Sequence, residues 1–451
     1  MGSASQPHAV RGTLVHCQRD PDTAGASQGL VVHEDGLLVA ADGHIVDVGP
    51  FEAVQDRLGQ DIPIIDHRGC LIVPGFVDTH IHYAQTDMIA SYGEQLLTWL
   101  ERYTFPAEAA FADRAVAEDT AAFFIDELLR NGTTSALVLG TVHAHSAEAI
   151  FAEAARHGMR LAAGKVLMDR NAPAALCDHR DEGMARTRDL IERWHGYDRL
   201  SYAITPRFAP ACSATQLTAA GALAAAYPDT YIHTHLAENH DEIAWVAALF
   251  PESRSYFDVY DRAGLVRERA VFAHCLHMDD VDRRRMTEAG AVAVNCPTSN
   301  MFLGSGLFDF GAAHRHGTTV GLATDVGAGT SFSMLTTATA AYQTAQLTGQ
   351  TLSPARMLYL ATLAGAEALD VADRIGRLMP GYEADFVVLD PAATPLMARR
   401  ARHASDIAAR LFMTFVLGDD RSVLETWVAG QRRHRRAPTH PHAHTANLRN
   451  R

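Results

Sequence analysis

The chain has 451 residues, 47% of them hydrophobic and 20% charged, which is typical of a globular protein with a large core. No apolar run reaches the roughly 18 residues of a membrane-spanning helix, and residues 1–12 lack the features of a secretory signal, so we expect a cytoplasmic protein without a membrane partner. The formal net charge of −14 argues against binding to nucleic acid, which depends on clustered Lys and Arg.

The start and the end of the chain predict one small β domain. Asp-Gly dipeptides, which favour turns, separate β-rich runs near the start at 29–33, 36–41 and 44–48. Strand character returns late in the chain at 384–389 and 423–428. We therefore predict a small β-sandwich domain formed by residues 1–73 together with residues 378–431.

Between residues 74 and 377, apolar strand-like runs alternate with segments of helical period. The eight runs are 76–82, 135–139, 161–167, 201–205, 231–235, 270–274, 292–295 and 319–324. Ser213 with Gln216 suits a capping box, and Gly132 and Gly158 suit left-handed C-caps. Eight β/α units predict an α/β fold, a (β/α)8 TIM-like barrel, whose chemistry gathers at the C-terminal ends of the strands.

The last segment, residues 432–451, is rich in Arg and His and has no apolar period, so we predict a disordered tail. A metal site made of His440, His442 and His444 is the alternative, but ordering those ligands would cost entropy.

The six cysteines are scattered singly, and we expect reduced thiols.

Candidate metal ligands lie at the ends of the predicted barrel strands. His80 and His82 close the first strand, where alternation places both imidazoles on one face. His-x-His spacing is weak evidence alone because the chain has 24 histidines. However, His235, His274 and Asp325 end the fifth, sixth and eighth strands. Imidazoles and a carboxylate that converge on one barrel mouth predict a catalytic zinc site.

Each of these residues also has an ordinary structural interpretation. His274 fits a buried core histidine, and Asp325 fits a helix N-cap. Glu238, three residues after His235, fits a solvated loop residue, whereas beside a catalytic metal it would act as a general acid/base. The expected convergence of the ligands favours the functional interpretation.

Several motifs resemble those of a known family. Residues 74–82, PGFVDTHIH, resemble the opening signature of the amidohydrolase superfamily. Longer stretches resemble the members of that superfamily that deaminate guanine: QTDM at 85–88, YGEQLL at 92–97, TPRFAP at 205–210, HTHLAEN at 233–239 and CPTSN at 296–300. The similarity extends over nearly the whole chain. Ala84 departs from the pattern, since proline is expected before Gln85.

The resemblance implies zinc-dependent hydrolysis of guanine to xanthine and ammonia in purine breakdown by a homodimer. A water molecule activated by the ion would attack C2, while Glu238 and Asp325 shuttle protons. The implied ligands of one zinc ion per chain are His80, His82, His235, His274 and Asp325. The implied substrate-binding residues are His82, Gln85, Arg207, Phe208, His235, Glu238 and Asp325.

The chemistry of three pocket residues agrees with this implication. Arg207 can donate to a purine carbonyl through a rigid fork, and Gln85 can both donate and accept. Phe208 can stack on the base. A structural salt bridge for Arg207 and a core role for Phe208 are the alternatives.

Three other functions stay open at this point. A dinuclear hydrolase would bridge two metals through a carboxylated lysine, and Lys165 is the only lysine in the chain. A mononuclear deaminase on the same fold could act on another nucleobase or an aminotriazine. A non-catalytic scaffold could keep the barrel as an interaction module. The small-fold zinc deaminases are excluded, because their PCxxC motif is absent.

Overall fold

The computed structural model describes residues 7–24, 29–59 and 61–437. Its strands, in chain order, are β1 (His8–Cys17), β2 (Leu30–Ala41), β3 (His44–Pro50), β4 (Ile64–Pro74), β5 (Phe76–His82), β6 (Thr133–Leu139), β7 (Arg160–Gly164), β8 (Val166–Leu167), β9 (Leu200–Pro206), β10 (Tyr231–Leu236), β11 (Ala270–His274), β12 (Val292–Asn295), β13 (Thr319–Leu322), β14 (Phe386–Leu389), β15 (Val423–Val428) and β16 (Gln431–Arg435).

Helices follow most of the strands in the middle of the chain. In chain order, helices are Pro21–Ala24, Phe51–Gln55, Leu96–Trp99, Phe105–Ala109, Arg114–Arg130, Ala144–His157, Arg180–Trp194, Ala214–Ala226, His240–Leu249, Tyr256–Arg262, Asp280–Glu288, Pro297–Phe302, Phe310–His316, Met334–Leu347, Pro354–Ala361, Leu363–Ala368, Pro395–Ala401 and Ile407–Leu417. Among the described residues, no helix is both long enough and apolar enough to cross a membrane.

The central strands form a parallel barrel in the order β5-β6-β7-β9-β10-β11-β12-β13. The segment after β13 closes it against β5: Asp325 N–H donates to the His80 carbonyl at 3.0 Å, and His82 N–H donates to the Val326 carbonyl at 2.9 Å. Small buried side chains such as Ala162, Ala203 and Ala273 pack together in one cluster with larger aliphatic residues. The predicted (β/α)8 barrel is confirmed.

The predicted glycine caps are present, but the predicted capping box is only half formed, because the Gln216 side chain makes no hydrogen bond to any described residue. The Ser213 side chain accepts from the Gln216 N–H and begins the helix Ala214–Ala226. Gly158 has φ 64° and Gly132 has φ 84°, both in the left-handed region that glycine tolerates best. Glycine is therefore the residue that ends these two helical segments without backbone strain.

One predicted strand, 161–167, is divided in the structure. β7 ends at Gly164, and the short β8 pairs with β9. Between them lies Lys165, which is fully buried and donates through Nζ to both carboxylate oxygens of Asp178 at 2.7 Å. The strand is interrupted where the chain's single lysine forms a buried ion pair.

The two chain ends contribute to one separate β domain, as predicted, and its strands form a mixed sheet in the order β16-β15-β14-β4-β1-β2-β3. β1 and β4 run parallel, and the other pairs are antiparallel. The predicted runs 29–33 and 36–41 belong to one strand, β2. The turn expected at Asp35-Gly36 does not form, because a register shift near Gly12 lets the pairing with β1 continue.

The boundary of the predicted tail needs a correction. Residues 432–435, placed there in a disordered tail, belong to β16 and pair with β15. This strand is polar because it lies at the sheet edge, and Arg432 donates to Glu425 at 2.9 Å. Its pairing comes from the backbone, so hydrophobic periodicity does not reveal it. His440, His442 and His444 lie outside the described residues.

Candidate metal and substrate site

Four imidazoles and one carboxylate converge at the C-terminal mouth of the barrel. Nε2 of His82 lies 3.2 Å from Nε2 of His80 and 3.1 Å from Nε2 of His235. Asp325 Oδ1 lies 3.1 Å from His80 Nε2 and 3.4 Å from His82 Nε2. His274 Nε2 is 3.8 Å from Asp325 Oδ2. The five residues predicted from strand ends therefore come together in one cluster.

This cluster fits a divalent metal ion. Ligand bonds of about 2.0–2.1 Å place neighbouring donor atoms of one ion roughly 3–4 Å apart, which matches the separations above. His235 Nδ1 donates to the Arg207 carbonyl at 2.7 Å, and His274 Nδ1 donates to Asn300 Oδ1 at 2.9 Å. Since the proton is on Nδ1, Nε2 keeps its lone pair for a cation.

Burial makes most of these imidazoles neutral. It lowers the pKa values of His80, His82 and His235 well below their ordinary value. Burial also opposes protonation of His274, but the carboxylates of Glu238 and Asp325 outweigh it and raise the pKa of that imidazole. Neutral imidazoles together with carboxylates are the ligands that a divalent ion requires.

Glu238 is held beside the metal ligands by a short loop after β10. Its N–H donates to Glu242 Oε2 at 3.0 Å, and its Oε1 accepts from the Ser305 hydroxyl at 3.0 Å. Its Oε2 lies 3.4 Å from His274 Nε2. Burial raises the pKa of Glu238, and burial next to Glu238 raises the pKa of Glu242 to about 7. A carboxyl in this position is a candidate for proton transfer at the site.

A cavity opens next to this cluster. Part of its wall is apolar and includes Leu96, Trp99, Leu100 and Leu303. The seven predicted substrate-binding residues all line it: His82, Gln85, Arg207, Phe208, His235, Glu238 and Asp325. Apolar walls with a few convergent polar groups are typical of a small-molecule site.

Arg207 and Gln85 are both engaged with protein groups in this cavity. Arg207 Nη1 donates to the two carboxylate oxygens of Glu108 at 2.7 and 2.6 Å. The Gln85 amide accepts from Gly327 N–H at 3.2 Å, and its Nε2 lies 3.1 Å from His82 Nδ1. The salt bridge considered for Arg207 is present, and the same side chain lines the cavity. Ala84 is buried before Gln85 and removes no polar group.

Several residues of the site carry no role in the sequence analysis. His233 Nε2 lies 2.6 Å from His80 Nδ1, and His233 follows the strand alternation of His235, which was a usable signal. Asn300 lies in a recognised motif. Glu108 gives no local signal, because its partner Arg207 is 99 residues away in the chain.

Cys296 is a further side chain near the metal ligands. Its thiol belongs to a possible ligand group with His274 and Asp325. Burial raises the pKa of this thiol well above its ordinary value, so the thiolate that binds metals is disfavoured. The imidazole and carboxylate set is the better candidate.

Known proteins resemble the chain over almost its full length. The model of the amidohydrolase family matches residues 71–433. Guanine deaminase of Escherichia coli is 48% identical over 424 residues, 94% of this chain and 97% of the relative. The structure of E. coli guanine deaminase superimposes with a TM-score of 0.93, covering 95% of this chain and 100% of the other.

A second solved structure holds a ligand. Guanine deaminase from C. acetobutylicum, described with guanine bound in the active site, superimposes with a TM-score of 0.85 at 30% identity. The match covers 95% of this chain and 100% of that chain.

Proposed function

The chain belongs to the amidohydrolase family, and from that membership we propose that it catalyses the zinc-dependent hydrolytic deamination of guanine to xanthine and ammonia. The observation that carries this proposal is the cluster of four imidazoles and a carboxylate at the edge of a cavity lined by Arg207, Gln85 and Phe208. The full-length similarity to guanine deaminases supports the choice of substrate.

The proposed zinc ligands are His80, His82, His235, His274 and Asp325. When bound, zinc lowers the pKa of a coordinated water molecule to about 7, which makes hydroxide available at neutral pH. Burial favours the neutral forms of His80, His82 and His235, which a divalent ion needs, and it keeps bulk water from competing for the ligands.

The pocket residues orient the purine. Arg207 donates from its guanidinium to the 6-oxo group, and Gln85 offers a donor and an acceptor to the ring edge. Phe208 lies in the wall of the cavity, where an aromatic ring can stack on the base. These contacts direct C2 towards the metal ligands.

Two carboxylates move the protons. The oxygen of water bonds to C2, and Asp325 takes up the proton released in that step. Glu238 protonates N3, so the ring accepts the electron pair. Asp325 passes its proton to the exocyclic amine, and the C2–N bond breaks with its electron pair leaving on ammonia. Glu238 takes back the proton of the C2 hydroxyl as the carbonyl of xanthine forms. The raised pKa of Glu238 suits this role, because burial favours the protonated form that donates to N3.

The test is a substrate panel on purified protein. We expect ammonia release from guanine, much less from adenine, cytosine or 8-oxoguanine, and close to one zinc per chain. Turnover of another base in preference to guanine would contradict the substrate, and two metals per chain would favour the dinuclear alternative. That alternative has little support, since Lys165 is engaged with Asp178.

A further inference from the structure

Glu108 is a buried carboxylate that contacts two of the proposed substrate-binding residues. It lies in the helix Phe105–Ala109 and has no exposed surface. Both of its oxygens accept from Arg207 Nη1, and Oε1 also lies 3.3 Å from Gln85 Nε2. One carboxylate thus joins the loop after β5 to the loop after β9.

This contact determines which part of Arg207 a ligand can reach. Glu108 occupies Nη1, and no acceptor in the described part of the chain contacts Nη2 or Nε. Arg207 lines the cavity although it is 2% exposed. The guanidinium fork therefore keeps donors for a carbonyl oxygen, in a plane that Glu108 fixes.

The same contact cancels the charge of Arg207. A buried guanidinium without a partner strongly attracts an anion, whereas a paired one behaves as a dipole that a neutral carbonyl can satisfy. Selection against an anionic purine thus needs a negative group behind the arginine. Glu108 is placed to be that group.

We propose that Glu108 is a positioning residue that sets the specificity of the cavity for neutral purine carbonyls over anionic purines. It does so by holding Arg207 and Gln85 and by neutralising the guanidinium. This inference rests on the proposed function, since it takes a purine as the ligand of the cavity.

The test measures two inhibition constants against guanine turnover. Hypoxanthine is neutral and keeps the 6-oxo group, whereas urate is an anion at neutral pH. In Glu108→Gln, which removes the charge and keeps the shape, we expect urate to bind about tenfold more tightly and hypoxanthine to bind more weakly. Glu108→Asp keeps the charge but is shorter, so hypoxanthine should weaken while urate does not improve.

Glu383→Gln is the matched control, because Glu383 is likewise a carboxylate paired with arginine, here Arg160 and Arg199. It precedes β14 and lies beside Arg160 at the start of β7, away from the mouth. In this control, the ratio of the inhibition constant of urate to that of hypoxanthine should equal the wild-type ratio. A ratio within twofold of wild type in Glu108→Gln, or an equal loss for both inhibitors, would overturn the inference. If the unmodified protein releases no ammonia from guanine, the proposed function fails first and the inference fails with it.

Discussion

Glu238 has two properties that a proton shuttle needs, a carboxylate oxygen 3.4 Å from His274 Nε2 and a pKa raised by burial. Glu238→Gln keeps the side-chain shape and an oxygen that accepts from Ser305, but it cannot carry the proton. We expect turnover of guanine to fall by about 100-fold to 10,000-fold while bound metal is unchanged. Ammonia release and elemental analysis of the same sample measure both quantities.

The exposed Glu118→Gln is the control for this experiment, and its turnover should match the wild type. A Glu238→Gln protein that keeps more than about a tenth of the activity would exclude the proposed acid/base role.

His16 illustrates how one buried side chain makes stability depend on pH. Burial, reinforced by nearby Arg377 and His33, lowers its pKa from 6.5 to about 4. The folded protein keeps this imidazole neutral, whereas the unfolded chain takes up a proton below pH 6.5. The contribution of His16 to the free energy of unfolding is therefore complete above pH 6.5. It is lost as the pH falls towards 4, and the loss amounts to at most about 3 kcal/mol.

In His16→Asn, an amide oxygen can replace Nδ1 as the acceptor of the Leu378 N–H. This variant should lose less stability than the wild type between pH 7 and pH 5, as measured by urea unfolding at both values. His403→Asn, at an exposed position, is the control. If His16→Asn and the wild type lose the same free energy of unfolding between pH 7 and pH 5, another group causes the pH dependence of stability.

The metal ligands could be predicted from the sequence, whereas Glu108 could not. The metal ligands were predictable because each ends a barrel strand, and strand ends of one parallel barrel meet at one mouth. The short distances between these side chains in the structure follow from that topology. Glu108 was not predictable, since a buried ion pair between a helix and a distant strand end leaves no periodic pattern. The assignment of roles to these residues stays a prediction.

At the scale of elements, the contact of β7 with β9 depends on a missing side chain. A Cβ on Gly164 would lie 1.7 Å from the Ala203 carbonyl oxygen. Gly164→Ala would therefore push β9 away and displace Arg207 at its end. We expect a loss of at least about 1–3 kcal/mol in the free energy of unfolding and a higher KM for guanine.

Urea unfolding and steady-state kinetics measure these effects. Gly49→Ala is the matched control in another strand, because its Cβ would have an ordinary contact of 3.4 Å with Val54. Equal stability of the two variants would show that the β7–β9 contact tolerates a methyl group.

Two strands of the sheet formed by the chain ends, β1 and β16, show no alternation of polar and apolar residues. β1 is buried along almost its whole length, so polar and apolar residues do not alternate in it. β16 is the opposite case, a charged edge strand held by backbone pairing. Both lack the period of two that identifies a strand with one exposed face. The barrel strands were found because helices between them separate their apolar runs clearly.

At the scale of the whole molecule, the proposed ion joins parts of the chain that are far apart in sequence. Its ligands come from β5, β10, β11 and the segment after β13, which includes the point where the barrel closes. An ion that binds only the folded state at a thousand times its Kd stabilises that state by about 4 kcal/mol. Chelation should therefore lower the Tm, and added zinc should restore it.

Differential scanning calorimetry with and without a chelator measures this shift. Asp325→Asn lacks one proposed ligand, so its Tm should respond less to the chelator. An unchanged Tm of the unmodified protein after complete metal removal would contradict a stabilising ion at this mouth.

The homodimer and the cytoplasmic location stay predictions from the sequence.

The buried Lys165 has a practical consequence. Because it is the chain's only lysine and its Nζ is shielded within the fold by Asp178, an acylating reagent meets no lysine target while the described fold is intact. Opening of the β7–β8 region would present one amine at a known position. Mass spectrometry of the acylated peptide could therefore time that opening in the natural sequence, without an introduced label.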